Sequence, residues 1–212
     1  MNEAMGDAQI TPRNKKVVSR AEALWVMIAA AVAAIATTAA GVSNIVAYFA
    51  GPVTLTLPLA TTHQAATGLR LGAEAHFASI EATIPALPLT EATLLAWAGV
   101  LNLVGILAVL ALLFVLAFRL RGENLFTAGS VWIIGACGVV LAVAGTLGQG
   151  LDSAGRHRVA QAIGANQGGA GESIIFSANF NVGPLMAGIV LILVAAVFQF
   201  GGRLQKDTEG LV

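Results

Sequence analysis

Three histidines are the chain's most versatile polar groups. His63, His76 and His157 all fall in the two outer loops, near Glu74, Glu81, Asp152 and Glu172. Two imidazoles and a carboxylate form a zinc donor set, but the spacing follows no metal-binding pattern, and no metal is expected. The single cysteine, Cys137, lies inside an apolar run, where packing outweighs nucleophilic chemistry. One cysteine excludes an internal disulfide and a Cys-based zinc cluster. No Walker loop, His-Glu-x-x-His, Gly-x-Ser-x-Gly or Cys-x-x-Cys occurs. The expectation is a protein that is not an enzyme and carries no cofactor.

Polar groups inside the apolar runs are uncharged: Thr37, Thr38, Ser43 and Asn44 in the first, Asn102 in the second, and Ser177, Asn179 and Asn181 in the fourth. Ion-coupled transport normally leaves ionisable residues within the membrane, so their absence argues against it. Ser177, Asn179 and Asn181 precede Pro184. They are read either as an interfacial helix start or as a candidate outer polar cavity.

These residues must be carried by elements that suit a chain of 212 residues, 57% hydrophobic and only 10% charged. Ordinary soluble domains are about 25% charged. Eleven basic residues balance eleven acidic ones, which gives no field for nucleic acid. The lipid bilayer is the expected partner. Charges break the chain into apolar runs at 23–69, 92–118, 124–151 and 173–202, each beyond the roughly 20 residues that cross a hydrocarbon core. Gly51-Pro52 divides the first. Spans are expected at 21–51, 92–119, 128–150 and 177–201, with tails at 1–20 and 202–212, loops at 52–91 and 151–176, and a hairpin at 120–127. Eight of the eleven basic residues then share one side: Arg13, Lys15, Lys16, Arg20, Arg119, Arg121, Arg203 and Lys206. The positive-inside rule makes both termini cytoplasmic. A signal peptide ending near Ala34-Ile35-Ala36 is the rival reading, but 23–51 far exceeds a signal core of about 7 to 15 residues.

Thr90 is expected to cap the second span with Glu91 in its first turn, and Thr127 the third, with Phe126 and Val131 as a staple. Small residues mark helix contacts in lipid. The first span offers Ala29, Ala33, Ala36 and Ala40, and the third Gly135, Gly138, Ala142 and Gly145, both read as faces packed within one bundle. Alternation over 53–57, 69–77 and 80–84 predicts two or three short strands outside the membrane, and 156–162 one short surface helix. The fold class is an all-α membrane protein, a four-transmembrane-helix bundle with a small extracytoplasmic β element between helices 1 and 2.

The segment Arg121-Gly-Glu-Asn-Leu-Phe-Thr127 and the tail Phe198-x-x-Gly201-x-x-Leu204-Gln205-x-Asp207-x-Glu209-Gly210-Leu211-Val212 resemble the YoaS-like domain-of-unknown-function family of bacterial four-helix integral membrane proteins. The resemblance extends over roughly residues 20–212 in layout. It implies a bacterial inner-membrane location and an outward loop between spans one and two, and no activity. Arg121, Glu123, Phe126, Arg203, Asp207 and Glu209 share the basic side and form the candidate interaction surface. The functional expectation is a non-enzymatic accessory, regulatory or protein-interaction module with a membrane or cytoplasmic protein partner. The alternative is a transporter or small-molecule channel built as a homo-oligomer.

Overall fold

Long apolar segments without interior proline leave the backbone one way to satisfy its polar groups in lipid, and that is the helix. The computed structural model describes residues 20–58, 79–121, 128–164 and 180–209. They form α1 (Arg20–Ala50), β1 (Val53–Pro58), β2 (Ser79–Ile84), α2 (Leu89–Arg121), α3 (Ala128–Ala162) and α4 (Gly183–Glu209). All four helices are long and apolar enough to cross a membrane, so the chain is a multi-pass membrane protein. Trp25, Ile35, Trp132 and Val197 are each about 70% exposed on their outer faces. In water such surface would drive aggregation, whereas lipid tails are a solvent for it.

The helices hold 31, 33, 35 and 27 residues. At about 1.5 Å per residue each exceeds the ~30 Å hydrocarbon core. The overhang carries a cap at one end, here the sheet end; the other is the basic end. β1 and β2 pair antiparallel from Val53 opposite Ile84 to Pro58 opposite Ser79. Val53, Leu55 and Ile84 turn inward on Leu95 of α2 and Val159 of α3. Threonines point the other way, and Thr54 and Thr83 share a hydrogen bond of 3.1 Å across the strands. The expected strand over 69–77 lies outside the described residues.

Among the described residues of the helices, extensive packing occurs only between sequence neighbours: α1 on α2, α2 on α3, α3 on α4. The bundle is therefore open along the side where α1 and α4 would otherwise meet. The α3 stripe packs as expected, and its partner is α4. A Cβ on Gly138 would stand 2.7 Å from the Gly188 carbonyl oxygen, and one on Gly145 2.5 Å from Pro184 Cβ. Only glycine permits this approach. At the basic end of the bundle Leu112, Ile134, Cys137 and Ala195 fill the space between α2, α3 and α4, and Cys137 Sγ donates to the Ala108 carbonyl at 3.2 Å. The Arg119 guanidinium donates to Ser130 Oγ, tying the end of α2 to the start of α3.

The α1 stripe departs from expectation. Ala29, Ala36 and Ala40 are exposed and Ala33 half-buried, while Ala23, Met27, Ala30, Ala34, Gly41, Ile45 and Tyr48 are covered. With Thr37 among them the covered positions step by three and four, and Gly41 meets Leu103 of α2. Alanine is as content against lipid as against a helix, so its spacing alone does not select the packed face.

Helix bounds also differ. The Pro88 carbonyl accepts from Ala92 N at 3.0 Å, so α2 starts at Leu89 and Thr90 lies in the first turn instead of capping it. Proline at the boundary brings a fixed φ and lacks only a donor the first turn does not use. Thr127 and Phe126 lie outside the described residues. The expected separate helix at 156–162 is part of α3, which runs unbroken to Ala162 and stops before Gly164 at φ +69°. Charge there marks the end of the membrane, not of the helix: Asp152 and Arg156 pair one turn apart and support it.

Candidate functional site

Antiparallel packing fixes which residues share a depth. Gly41 faces Leu103, Gly99 faces Ile45, Gly148 meets Leu101 and the Asn102 backbone, and Gly145 meets Pro184. These contacts set Asn44 of α1, Asn102 of α2, Gln149 of α3 and Asn181 before α4 on one level. Counting roughly 20 residues from Ala21, Arg119, Gly129 and Gly201 at the basic end reaches Gly41, Gly99, Gln149 and Asn181. The four amides thus stand within about a turn of where a hydrocarbon core would end on the sheet side.

All four amides line one partly open cavity of about 700 Å³ between α1, α2, α3 and the start of α4. That volume falls in the usual range for small-molecule sites, about 300–1,000 Å³. Tyr48, Asp152 and Arg156 rim it toward the sheet, and Ala40, Leu103 and Ile106 line it on the other side of the amides.

The amides are not equivalent. Gln149 Oε1 accepts from Asn181 N at 2.6 Å, and its Nε2 donates to the carbonyls of Gly145 at 3.1 Å and Asn181 at 3.0 Å. Asn181 Oδ1 accepts from Gly183 N at 2.8 Å, turning the chain into α4. Gln149 is therefore spent on holding the start of α4. Among the described residues Asn44 and Asn102 have no side-chain hydrogen bond, and Asn181 keeps its amide hydrogens.

The rim carries charge without net charge. Arg156 donates to Asp152 Oδ2 at 2.7 Å and to the Thr56 carbonyl at 2.9 Å, which clamps β1 on α3. Its guanidinium is thus shared between a carboxylate and a strand.

Of the three residues expected to form an outer polar cavity, Asn181 lines the cavity described above, and Ser177 and Asn179 lie outside the described residues. Sequence reading singled out Asn44 and Asn102 but did not unite them with Asn181; it missed Gln149, named Asp152 only beside the histidines and put Arg156 in a separate surface helix. The available signal was the helical register that aligns Gln149 with Asn181. The expected interaction surface falls outside the described side chains: Glu123 and Phe126 entirely, and Arg121, Arg203, Asp207 and Glu209 beyond their helical backbone. His63 and His76 are also outside, and His157 pairs with Gln161 at 3.0 Å. Among the described residues no three His, Cys, Asp or Glu gather as metal ligands.

No protein-family model, curated protein or solved structure matches the chain.

Proposed function

We propose that the protein is a non-enzymatic accessory module of the membrane, which receives a second membrane component through its open side. The observation that carries this reading is a partly open cavity with two unpartnered amides, in a bundle whose α1 and α4 share no extensive packing among the described residues. A conduit needs a closed wall along the bilayer, and neighbour-only packing does not build one in a single chain. By the positive-inside rule the basic end faces the cytoplasm and the sheet lies outside.

Photo-crosslinking in cells tests the reading. Benzoylphenylalanine at Ile106, in the cavity, should give a defined adduct, whereas the same group at Val197, on the lipid-facing side of α4, should give only diffuse lipid labelling. Equal, diffuse labelling at both positions, together with solute flux through reconstituted protein, would replace the module by an oligomeric conduit.

A further inference from the structure

We infer that the amide-lined cavity binds a neutral glycolipid from the leaflet at the sheet end, a reading that rests on lateral binding as proposed above. Four properties of the cavity converge on that class.

Depth comes first. The amide level stands at the hydrocarbon boundary, where the linkage between a lipid's head and its chains resides. Length is second. Along α1 the lining runs from Thr37 to Tyr48, about 17 Å at 1.5 Å per residue. From Asn44 to Thr37 about 10 Å of it lies on the hydrocarbon side of the amides, too short for a transmembrane helix and enough for the upper part of an acyl chain lying past Leu103 and Ile106.

Charge is third. Arg156 is the one cation among the described lining residues, and Asp152 and the Thr56 carbonyl already hold it. An anionic phosphate would meet no free counter-charge and a nearby carboxylate. Hydrogen-bonding capacity is fourth. Asn44 and Asn102 each offer a paired donor and acceptor, and Asn181 adds two donor hydrogens. Sugar hydroxyls, each donor and acceptor at once, match such amides. Bare diacylglycerol offers a single hydroxyl and leaves most of that capacity unused.

The test uses purified full-length protein in mild detergent, offered equal amounts of monogalactosyl diacylglycerol, diacylglycerol and phosphatidylglycerol, with adducts resolved by native mass spectrometry. The expected result is one galactolipid per chain, retained at least about tenfold better than the other two. Asn44→Leu with Asn102→Leu should abolish that preference while leaving phosphatidylglycerol adducts unchanged. Unaltered burial of Cys137, read by thiol labelling, verifies the fold of the double variant. Equal retention of the three lipids, better retention of phosphatidylglycerol, or full preference in the double variant each overturns the assignment. A protein-mass adduct at Ile106 with no galactolipid preference overturns the lipid while keeping lateral binding, and absence of both overturns the two readings together.

Discussion

Replacing Gly188 by alanine puts the proposed packing of α3 on α4 to a numerical test. The added methyl would stand 2.5 Å from the Gly138 carbonyl oxygen, 2.7 Å from Ala142 Cβ and 3.0 Å from Ala142 N. None of these neighbours is a flexible side-chain end, so the helices must separate by about 1 Å. Such a gap forfeits a quarter to a half of each contact's attraction of about 0.1–0.2 kcal/mol. Over some tens of atom pairs the loss is about 2 kcal/mol, within the range for overpacked cores. Alanine's helix propensity returns up to about 1 kcal/mol. The net cost of about 1–2 kcal/mol corresponds to a factor of roughly 5–30 in the open population.

The chain supplies its own reporter. Trp25, Trp97 and Trp132 are 70%, 63% and 74% exposed, so tryptophan fluorescence is nearly blind to this interface. Cys137 is 7% exposed and packs with Ala195 of α4. Its labelling by a small thiol reagent in detergent follows the opening of α3 from its neighbours. Gly188→Ala should therefore label about 5- to 30-fold faster than the parent. Gly150→Ala, with nothing within 4 Å of the new methyl, should label at the parental rate or slower. If the two variants label alike, glycine contact does not hold α3 to α4 and the close crossing is wrong.

Other expectations follow from single contacts. Gly138→Leu should speed Cys137 labelling far more than Leu141→Ala, because the first collides with a backbone carbonyl while the second only trims a half-buried chain. Thr146 Oγ1 is buried without a hydrogen-bond partner, so Thr146→Val should slow labelling, by up to the ~1–3 kcal/mol that such a hydroxyl costs; faster labelling would mean that the hydroxyl is satisfied. Arg156→Gln should raise amide hydrogen exchange along β1 severalfold and leave Cys137 unchanged, since its strand contact is to Thr56 at the cap; unchanged exchange would deny the clamp. For sidedness, cysteine at Glu81 in a Cys137→Ala background should react with an impermeant maleimide in intact cells and cysteine at Glu123 should not, and the reverse pattern would invert the topology.

How legible each feature was depended on the range of the physics behind it. Spans are a property of composition over about 20 residues, so missing charges revealed them directly. The α3 glycine stripe was legible because glycine at Gly138 and Gly145 has few uses in a helix other than close approach. The alanines of α1 carried no such information, since lipid and protein accept alanine alike, and the packed face fell instead on Gly41 and its register-mates. Sequence charge also misplaced the end of α3: Asp152 and Arg156 announce water, and a helix continues in water when its own residues pair and a cap packs on it.

The amide level shows the limit most clearly. Asn44, Asn102, Gln149 and Asn181 come from four distant positions, and no local pattern relates them; only the contacts Gly41–Leu103, Gly148–Leu101 and Gly145–Pro184 bring them to one depth. That dependence also divides their roles. Gln149 and Asn181 bond to each other's segment, so a change at Gln149 should disturb the start of α4 before it disturbs any ligand. Asn44 and Asn102 make no side-chain hydrogen bond in the described structure, so the fold gains little from keeping them polar. An asparagine costs more than a leucine wherever it meets hydrocarbon. Two of them, on separate helices and facing one opening, are better explained by what enters that opening than by what holds the helices together.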